Sequence, residues 1–346
     1  MRLSGLLSRI SGDGRAGCLV DAVTAGAVAR LRASLTGSPL AGRVRANVPL
    51  AGLTSFRVGG PADVFVEAEG PADVHVAVSA ALRVGAPYHV IGWGTNLLVR
   101  DGGIRGLVVR IGPGMADLQW DVGGRSVVAG AGARLRGLAQ AAAELGLRGL
   151  EFAEGIPGGL GGAVVMNAGA YDGEIGPLVD WVEVLDLDVA RLMQGDSELR
   201  LIRIPAAELG YGYRHSSLQG RPGAVVAARL VLPAVDDPGA IRERMDELAA
   251  RRRERQPLEW PSAGSFFKRP PGGYAGTLIE GCGLKGYRVG GAEVSPKHAN
   301  FVVNVGGATA ADVVAVAEHV RRTVRDRYGV DLQPEVRIIG EEACPC

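Results

Sequence analysis

Twice in this chain the same order of elements runs into a glycine-rich segment, and that recurrence constrains the fold more than any other feature. Val64–Ala68 alternates as a strand, and Pro71 opens a helix with Val74, Val78 and Ala81 at helical spacing, stopped by Gly85. His89–Ile91 then leads as a strand into Gly92-Trp-Gly-Thr-Asn96, and Leu107–Ile111 is a further strand. Strand candidates at Leu118–Val122 and Ser126–Ala129 precede a second helix carrying Leu135, Leu138, Ala142 and Leu145, ended by Gly146. A second glycine loop follows at Gly155–Gly162. Two α+β halves that each deliver a glycine segment after a helix predict one ligand clasped between them.

A third region begins after Leu232. Pro238 opens a helix with Ile241, Met245 and Leu248 that ends in Arg251-Arg-Arg-Glu-Arg255, read as a solvated helix end where positive charge suits the dipole. A last helix following Asp312 carries Val313, Val316, Ala317, Val320 and Val324 on one face and stops at Gly329. Gln333–Ile339 reads as a strand with Glu335 inside it, and one helix is expected ahead of all this near Asp21–Leu35.

A chain of 346 residues is long enough for two or three cores, and 47% hydrophobic with 22% charged residues is globular composition. A formal net charge of +1 gives no reason to expect nucleic acid or an anionic membrane as partner. No apolar run approaches the roughly 18 residues of a membrane span. Met1–Ile10 lacks the apolar core of a signal peptide, so the cytoplasm is expected. Cys18, Cys282, Cys344 and Cys346 do not have metal-ligand spacing; no metal site is expected, and the tail is expected to be disordered.

Scarce residue types mark the candidate site. Of 38 basic residues only Lys268, Lys285 and Lys297 are lysine, and all three follow Ser262-Ala-Gly-Ser-Phe-Phe closely. A compact ammonium is a point charge that can relay protons, which a guanidinium does poorly. Apart from Asn47, the asparagines are Asn96, Asn167, Asn300 and Asn304, each in or beside a glycine-rich or aromatic stretch. Glycine segments can bare backbone N–H groups to phosphates. Two matches to GxGxxG, at Gly12–Gly17 and Gly281–Gly286, lack the strand-then-helix context of a dinucleotide fold, so a Rossmann domain is not expected. Arg214, in Gly-Tyr-Gly-Tyr-Arg-His-Ser, either holds a carboxylate or sits exposed on a packed turn. Glu335 among apolar residues favours a site role. Ser265 is not in a GxSxG elbow, so simple hydrolase chemistry lacks support.

Taken together these motifs resemble one family. Thr54-Ser-Phe-Arg-Val-Gly-Gly-Pro-Ala, Gly92-Trp-Gly-Thr-Asn-Leu-Leu-Val and Gly155-Ile-Pro-Gly-Gly-Leu-Gly-Gly-Ala-Val-Val-Met-Asn are similar to the flavin-binding half of the UDP-N-acetylenolpyruvoylglucosamine reductases. Gly212-Tyr-Arg-His-Ser, Ala263-Gly-Ser-Phe-Phe-Lys, Gly290-Gly-Ala-Glu-Val-Ser-Pro-Lys-His-Ala-Asn and Pro334-Glu-Val-Arg are similar to the rest. The match runs in order from Asn47 to Gly340 and is to the family's shorter form, with no insertion after Lys268 and no tyrosine between Arg214 and Ser265. Thr95 stands where serine is more usual and Asp172 where glycine is common.

The resemblance implies an α+β protein. A two-subdomain FAD-binding fold of the vanillyl-alcohol-oxidase/PCMH type (46–232, divided near 115) would be followed by a C-terminal α+β substrate-binding domain (233–340). An N-terminal extension with one helix (1–45) and a tail (341–346) complete the expected organisation. Non-covalent FAD would contact Arg57, Gly92, Trp93, Gly94, Thr95, Asn96, Gly155, Ile156, Gly158, Gly161, Gly162 and Asn167. Hydride would pass from NADPH through FAD to UDP-N-acetylglucosamine enolpyruvate, giving UDP-N-acetylmuramate for peptidoglycan. Arg214, Ser265 and Glu335 would be catalytic; Lys268, Lys297, His298 and Arg337 would bind the nucleotide, and the enzyme would be a monomer. The alternatives are an oxidase of the same flavin fold acting on a sugar or hydroxy acid, often with histidine-tethered flavin, and a non-catalytic UDP-sugar binder.

Overall fold

The computed structural model describes residues 26–171 and 173–343. The Met1–Ile10 start, the Gly12–Gly17 match, Cys18, the first part of the Asp21–Leu35 helix, Asp172, Cys344 and Cys346 lie outside the described residues.

Helix α1 covers residues 26–36 and buries Ala27, Leu31 and Leu35, a stripe spaced every fourth residue against the main core. Strand β1 (Val44–Pro49) runs antiparallel to β2 (Pro61–Ala68). Helix α2 (Pro71–Arg83) starts on Pro71, whose fixed φ suits the first turn, and ends where Gly85 turns left-handed at φ +70°. It returns the chain to β3 (Tyr88–Ile91), which with β2 lies parallel to β5 (Ile104–Ile111); between them β4 (Leu97–Val99) leaves the sheet. β2 is buried on both faces. Val64 and Val66 enter the main core, while Phe65 packs oppositely with Leu50, Ile104 and Val108.

The second half pairs β6 (Leu118–Asp121) and β7 (Ser126–Gly130), then runs through α3 (Leu135–Glu144) and the short β8 (Leu147–Arg148). Leu145 does not join the buried face of α3, because the helix ends before it and the side chain is left exposed. The second glycine loop is a loop only to Gly159. Leu160 begins α4 (Leu160–Met166), so Gly161 and Gly162 are helical. After the hairpin β9 (Gly169–Ala170) and β10 (Gly173–Glu174) come β11 (Val179–Asp186), α5 (Val189–Met193), β12 (Leu201–Pro205), β13 (Gly223–Val231) and β14 (Ala234–Val235). They complete an antiparallel sheet of order β12-β11-β13-β7-β6, with β14 paired to β8.

Helix α6 (Pro238–Arg255) buries Ile241 and Met245 in the core shared by both halves. The remaining chain builds a second core from α7 (Ala275–Gly281), the antiparallel β15 (Arg288–Val289), β16 (Ala292–Val294) and β17 (Val302–Asn304), and α8 (Ala310–Tyr328). α8 begins before Asp312. Thr309 is its N-cap and Asp312 closes a capping box, which also holds that carboxyl below its usual range despite some burial. The final strand, β18, is shorter than expected (Arg337–Ile339), so Glu335 precedes it rather than lying within it.

β18 pairs in parallel with β4, setting Leu97, Leu98 and Val99 against Arg337, Ile338 and Ile339. Phe56, Val58 and Leu98 from the first half sit inside the second core. Asp101, just past β4, accepts hydrogen bonds from the N–H groups of Ala310 (2.8 Å) and Ala311 (2.9 Å), capping α8 from 209 residues away. Asp101→Ala is expected to cost about 1–2 kcal/mol in urea unfolding; an unchanged midpoint would show the cap to be idle.

Candidate functional site

The first glycine segment, the α4 region and the second core meet around one cavity of about 1240 Å³. That exceeds the roughly 300–1,000 Å³ common for a single small ligand, so there is room for a cofactor and a substrate side by side. Gly92 and Gly162 line it, and a Cβ at either would meet nothing within 4 Å. Backbone is therefore bared to open space, the arrangement a phosphate-bearing cofactor requires.

Arg57, Gly92, Trp93, Gly94, Thr95, Asn96, Gly155, Ile156, Gly158, Gly161 and Gly162 all line the cavity. Asn167 does not. Its side chain, 1% exposed, donates to Glu174 (2.9 Å) and to the Gly212 carbonyl (2.9 Å), and accepts from the Gly176 N–H (2.8 Å). Asn300, itself part of the cavity wall, and Asn304, which is not, are brackets too. Asn300 exchanges two hydrogen bonds with the Phe267 backbone, and Asn304 donates to the Phe56 carbonyl at 3.2 Å. The scarce asparagines thus mark joints around the site. Asn96 is both wall and joint: its amide donates to the Glu335 carbonyl (3.1 Å), and its own carbonyl accepts from the Arg337 N–H (3.0 Å).

Arg214, Ser265 and Glu335 come together on the cavity wall. Arg214 adopts a left-handed φ of 51°, and its Nε donates to Glu335 Oε1 at 2.8 Å. Its Nη2 donates to the Gly169 carbonyl at 2.6 Å, so the open choice for Arg214 resolves to a cavity residue with a carboxylate partner. Burial raises the Glu335 pKa, against the opposing pull of Arg214 and Lys268. Ser265 is held by a bridge to Phe301, and the Glu335 N–H donates to the Phe266 carbonyl at 2.8 Å, so one irregular ladder registers Ser265 against Glu335.

Lys297, His298 and Arg337 line the cavity as well. Lys297 Nζ donates to the Arg253 carbonyl at 2.6 Å, and burial lowers the His298 pKa. Lys268 stands outside the wall, and Lys285 is taken up by Glu280 at 2.6 Å. Among the described residues no group of His, Cys, Asp and Glu could hold a metal, and no helix is long and apolar enough to cross a membrane.

Arg252 is the main residue the sequence reading misses. Far from being a solvated helix end, it lines the cavity against Gly155, with Nε donating to Gln256 Oε1 at 2.9 Å, and burial lowers its pKa. The signal was in the helix period: 241, 245, 248 and 252 share one stripe of α6. At the mouth Arg269 stacks 4.5 Å from the Tyr274 ring centroid and Trp260 is exposed, so the opening offers cationic and aromatic surface.

Comparison with known proteins agrees with this arrangement. Residues 62–189 match the family pattern described as an FAD binding domain, and residues 256–339 match that of the UDP-N-acetylenolpyruvoylglucosamine reductase C-terminal domain. The UDP-N-acetylenolpyruvoylglucosamine reductase of Moorella thermoacetica is 49% identical over 302 residues, covering 86% of this chain and 94% of its own. That of Pediococcus pentosaceus is 49% identical, covering 85% and 93%. The crystal structure of the reductase from Thermus caldophilus superposes with a TM-score of 0.70 at 38% identity, covering 86% of this chain and 98% of the other. The architecture is therefore an FAD-binding domain of the PCMH type with this family's C-terminal domain, and the chain belongs to the UDP-N-acetylenolpyruvoylglucosamine reductase family.

Proposed function

We propose that this protein reduces UDP-N-acetylglucosamine enolpyruvate to UDP-N-acetylmuramate, with NADPH as reductant and FAD as the bound carrier. The observation that carries the reading is the convergence of Arg214, Ser265 and Glu335 on a cavity also lined by both glycine segments. FAD supplies the chemistry of accepting a hydride from one ligand and delivering it to another. The residues supply the rest. Hydride addition at the terminal carbon of the enolpyruvyl group drives negative charge onto the adjacent carbon and into its carboxylate. Arg214, and Glu335 as a neutral acid, stabilise that charge as it develops. The Ser265 hydroxyl gives its proton to the adjacent carbon; so weak an acid serves only against a strongly basic, enolate-like partner. Lys297, His298, Arg337 and Arg252 hold the nucleotide end.

All three catalytic side chains come from one chain, so a monomer suffices to build the site. An oxidase with tethered flavin finds no histidine in Gly92-Trp-Gly-Thr-Asn96. The test is anaerobic and spectroscopic. NADPH should bleach the flavin absorbance of the purified protein, and the enolpyruvyl nucleotide should restore it. Bleaching without recovery would remove the proposed substrate, and retention of the colour by acid-precipitated protein would point to a tethered flavin instead.

A further inference from the structure

Trp93 is the bulkiest residue of the first glycine segment, and its indole lies against the second half. Nε1 donates to the Gly132 carbonyl at 2.9 Å. The guanidinium carbon of Arg134 is 3.4 Å from the ring centroid and that of Arg110 is 4.7 Å away. Arg134 is itself bridged through its backbone to Gly159, and the Leu135 N–H donates to the Gly158 carbonyl at 3.1 Å. The indole thus covers the crossing of residues 132–134 with residues 158–160.

Gly159 shows what the indole excludes. Its φ of −112° and ψ of 164° are open to any L-residue, so backbone strain does not require glycine there. A Cβ at 159 would instead fall 2.6 Å from Trp93 Cδ1 and 2.8 Å from Nε1, with the Ala131 carbonyl at 3.0 Å. Gly159 is also the N-cap of α4, which has no side-chain cap. A serine, otherwise favoured at such a position, is shut out by the tryptophan.

We propose that Trp93 is a positioning residue that locks the two glycine segments into a single preformed cradle for FAD, and that Gly159 is glycine because Trp93 occupies its side-chain space. The inference rests on FAD as the occupant of this cavity, and it concerns affinity and rigidity, with no part in proton or hydride transfer.

The test is titration of flavin-stripped protein with FAD, read by flavin fluorescence, alongside far-UV circular dichroism of each apo-variant. Trp93→Ala should weaken binding at least about tenfold, equivalent to about 1.4 kcal/mol, the scale of one neutral hydrogen bond plus a cation–π contact. Gly159→Ser with Trp93 in place should also weaken binding, because the indole must move. In Trp93→Ala/Gly159→Ser there is no indole left to displace, so the serine should add little further loss and the double variant should bind FAD about as tightly as Trp93→Ala alone. Trp93→Phe keeps a ring under Arg134 but loses the donor to Gly132, and should fall between wild type and Trp93→Ala. Losses that simply multiply in the double variant, or a Gly159→Ser protein that binds as wild type does, would overturn the pairing. Native affinity in Trp93→Phe would overturn the bracing bond even where Trp93→Ala fails to fold. Failure of the wild-type protein to bind FAD would instead sink the flavin reading on which the proposal stands.

Discussion

Replacing Ser265 by alanine is expected to leave NADPH-dependent bleaching of the flavin near its native rate, while recovery on adding the enolpyruvyl nucleotide slows by about 10²–10⁴-fold, the usual contribution of a positioned general acid. The environment of Ser265 makes that split interpretable. Its backbone is fixed by the bridge to Phe301, and the next residue's N–H donates to the Asn300 carbonyl at 2.7 Å. Asn300 then clamps Phe267 from both sides, and the Phe266 and Phe267 rings, buried at 1% and 2% exposure, pack edge to face with centroids 5.0 Å apart. Removing one hydroxyl leaves all of these contacts in place. A stopped-flow comparison of the two half-reactions would read the loss directly, and equal recovery rates in variant and wild type would take Ser265 out of the mechanism.

The same segment shows where sequence reasoning reaches and where it stops. Local periodicity and punctuation were enough for Pro71-to-Gly85, for the α6 stripe and for the Val313–Val324 face, because each is decided by neighbours within a few turns. What joins the two cores is long-range. No local pattern announces that Asp101 caps α8, or that β18 pairs with β4, since capping and pairing partners lie more than 200 residues apart. Scarcity of a residue type proved a guide to place rather than role. Asn300 lines the cavity while Asn167 and Asn304 stand behind its wall, and the amides of all three are spent on backbone and on Glu174. Arg252 shows the opposite error, where a charge run suggested solvent and the helix period, followed one step further, led into the cavity.

Glu335→Gln is the second large effect expected, a fall of about 10²–10³-fold in recovery of the flavin by substrate, because the amide N–H that replaces the carboxyl O–H is a far weaker acid toward a developing anion. The substitution can be read cleanly because the backbone there is pinned independently of the side chain. The Glu335 N–H donates to Phe266, its carbonyl accepts from Asn96, and Arg337 two residues on donates to Asn96 in turn. Only the carboxyl changes, and what it loses is an ionisable proton. Burial raises its pKa, and Arg214 at 2.8 Å opposes that without overcoming it. If the neutral acid is the working form, the substrate half-reaction is full below the Glu335 pKa and declines as pH rises through it, at a pH above the ordinary carboxylate range. Stability carries the same sign. A carboxyl whose folded pKa is raised contributes stability below its unfolded pKa and loses that contribution as pH climbs through the folded value. Glu335→Gln cannot ionise, so it should lose the alkaline decline due to this group and lose less stability between acid and neutral pH than wild type does. A variant that keeps both the native rate and the native pH profile would show that Arg214 alone handles the substrate carboxylate, with Glu335 serving only to hold the guanidinium in place.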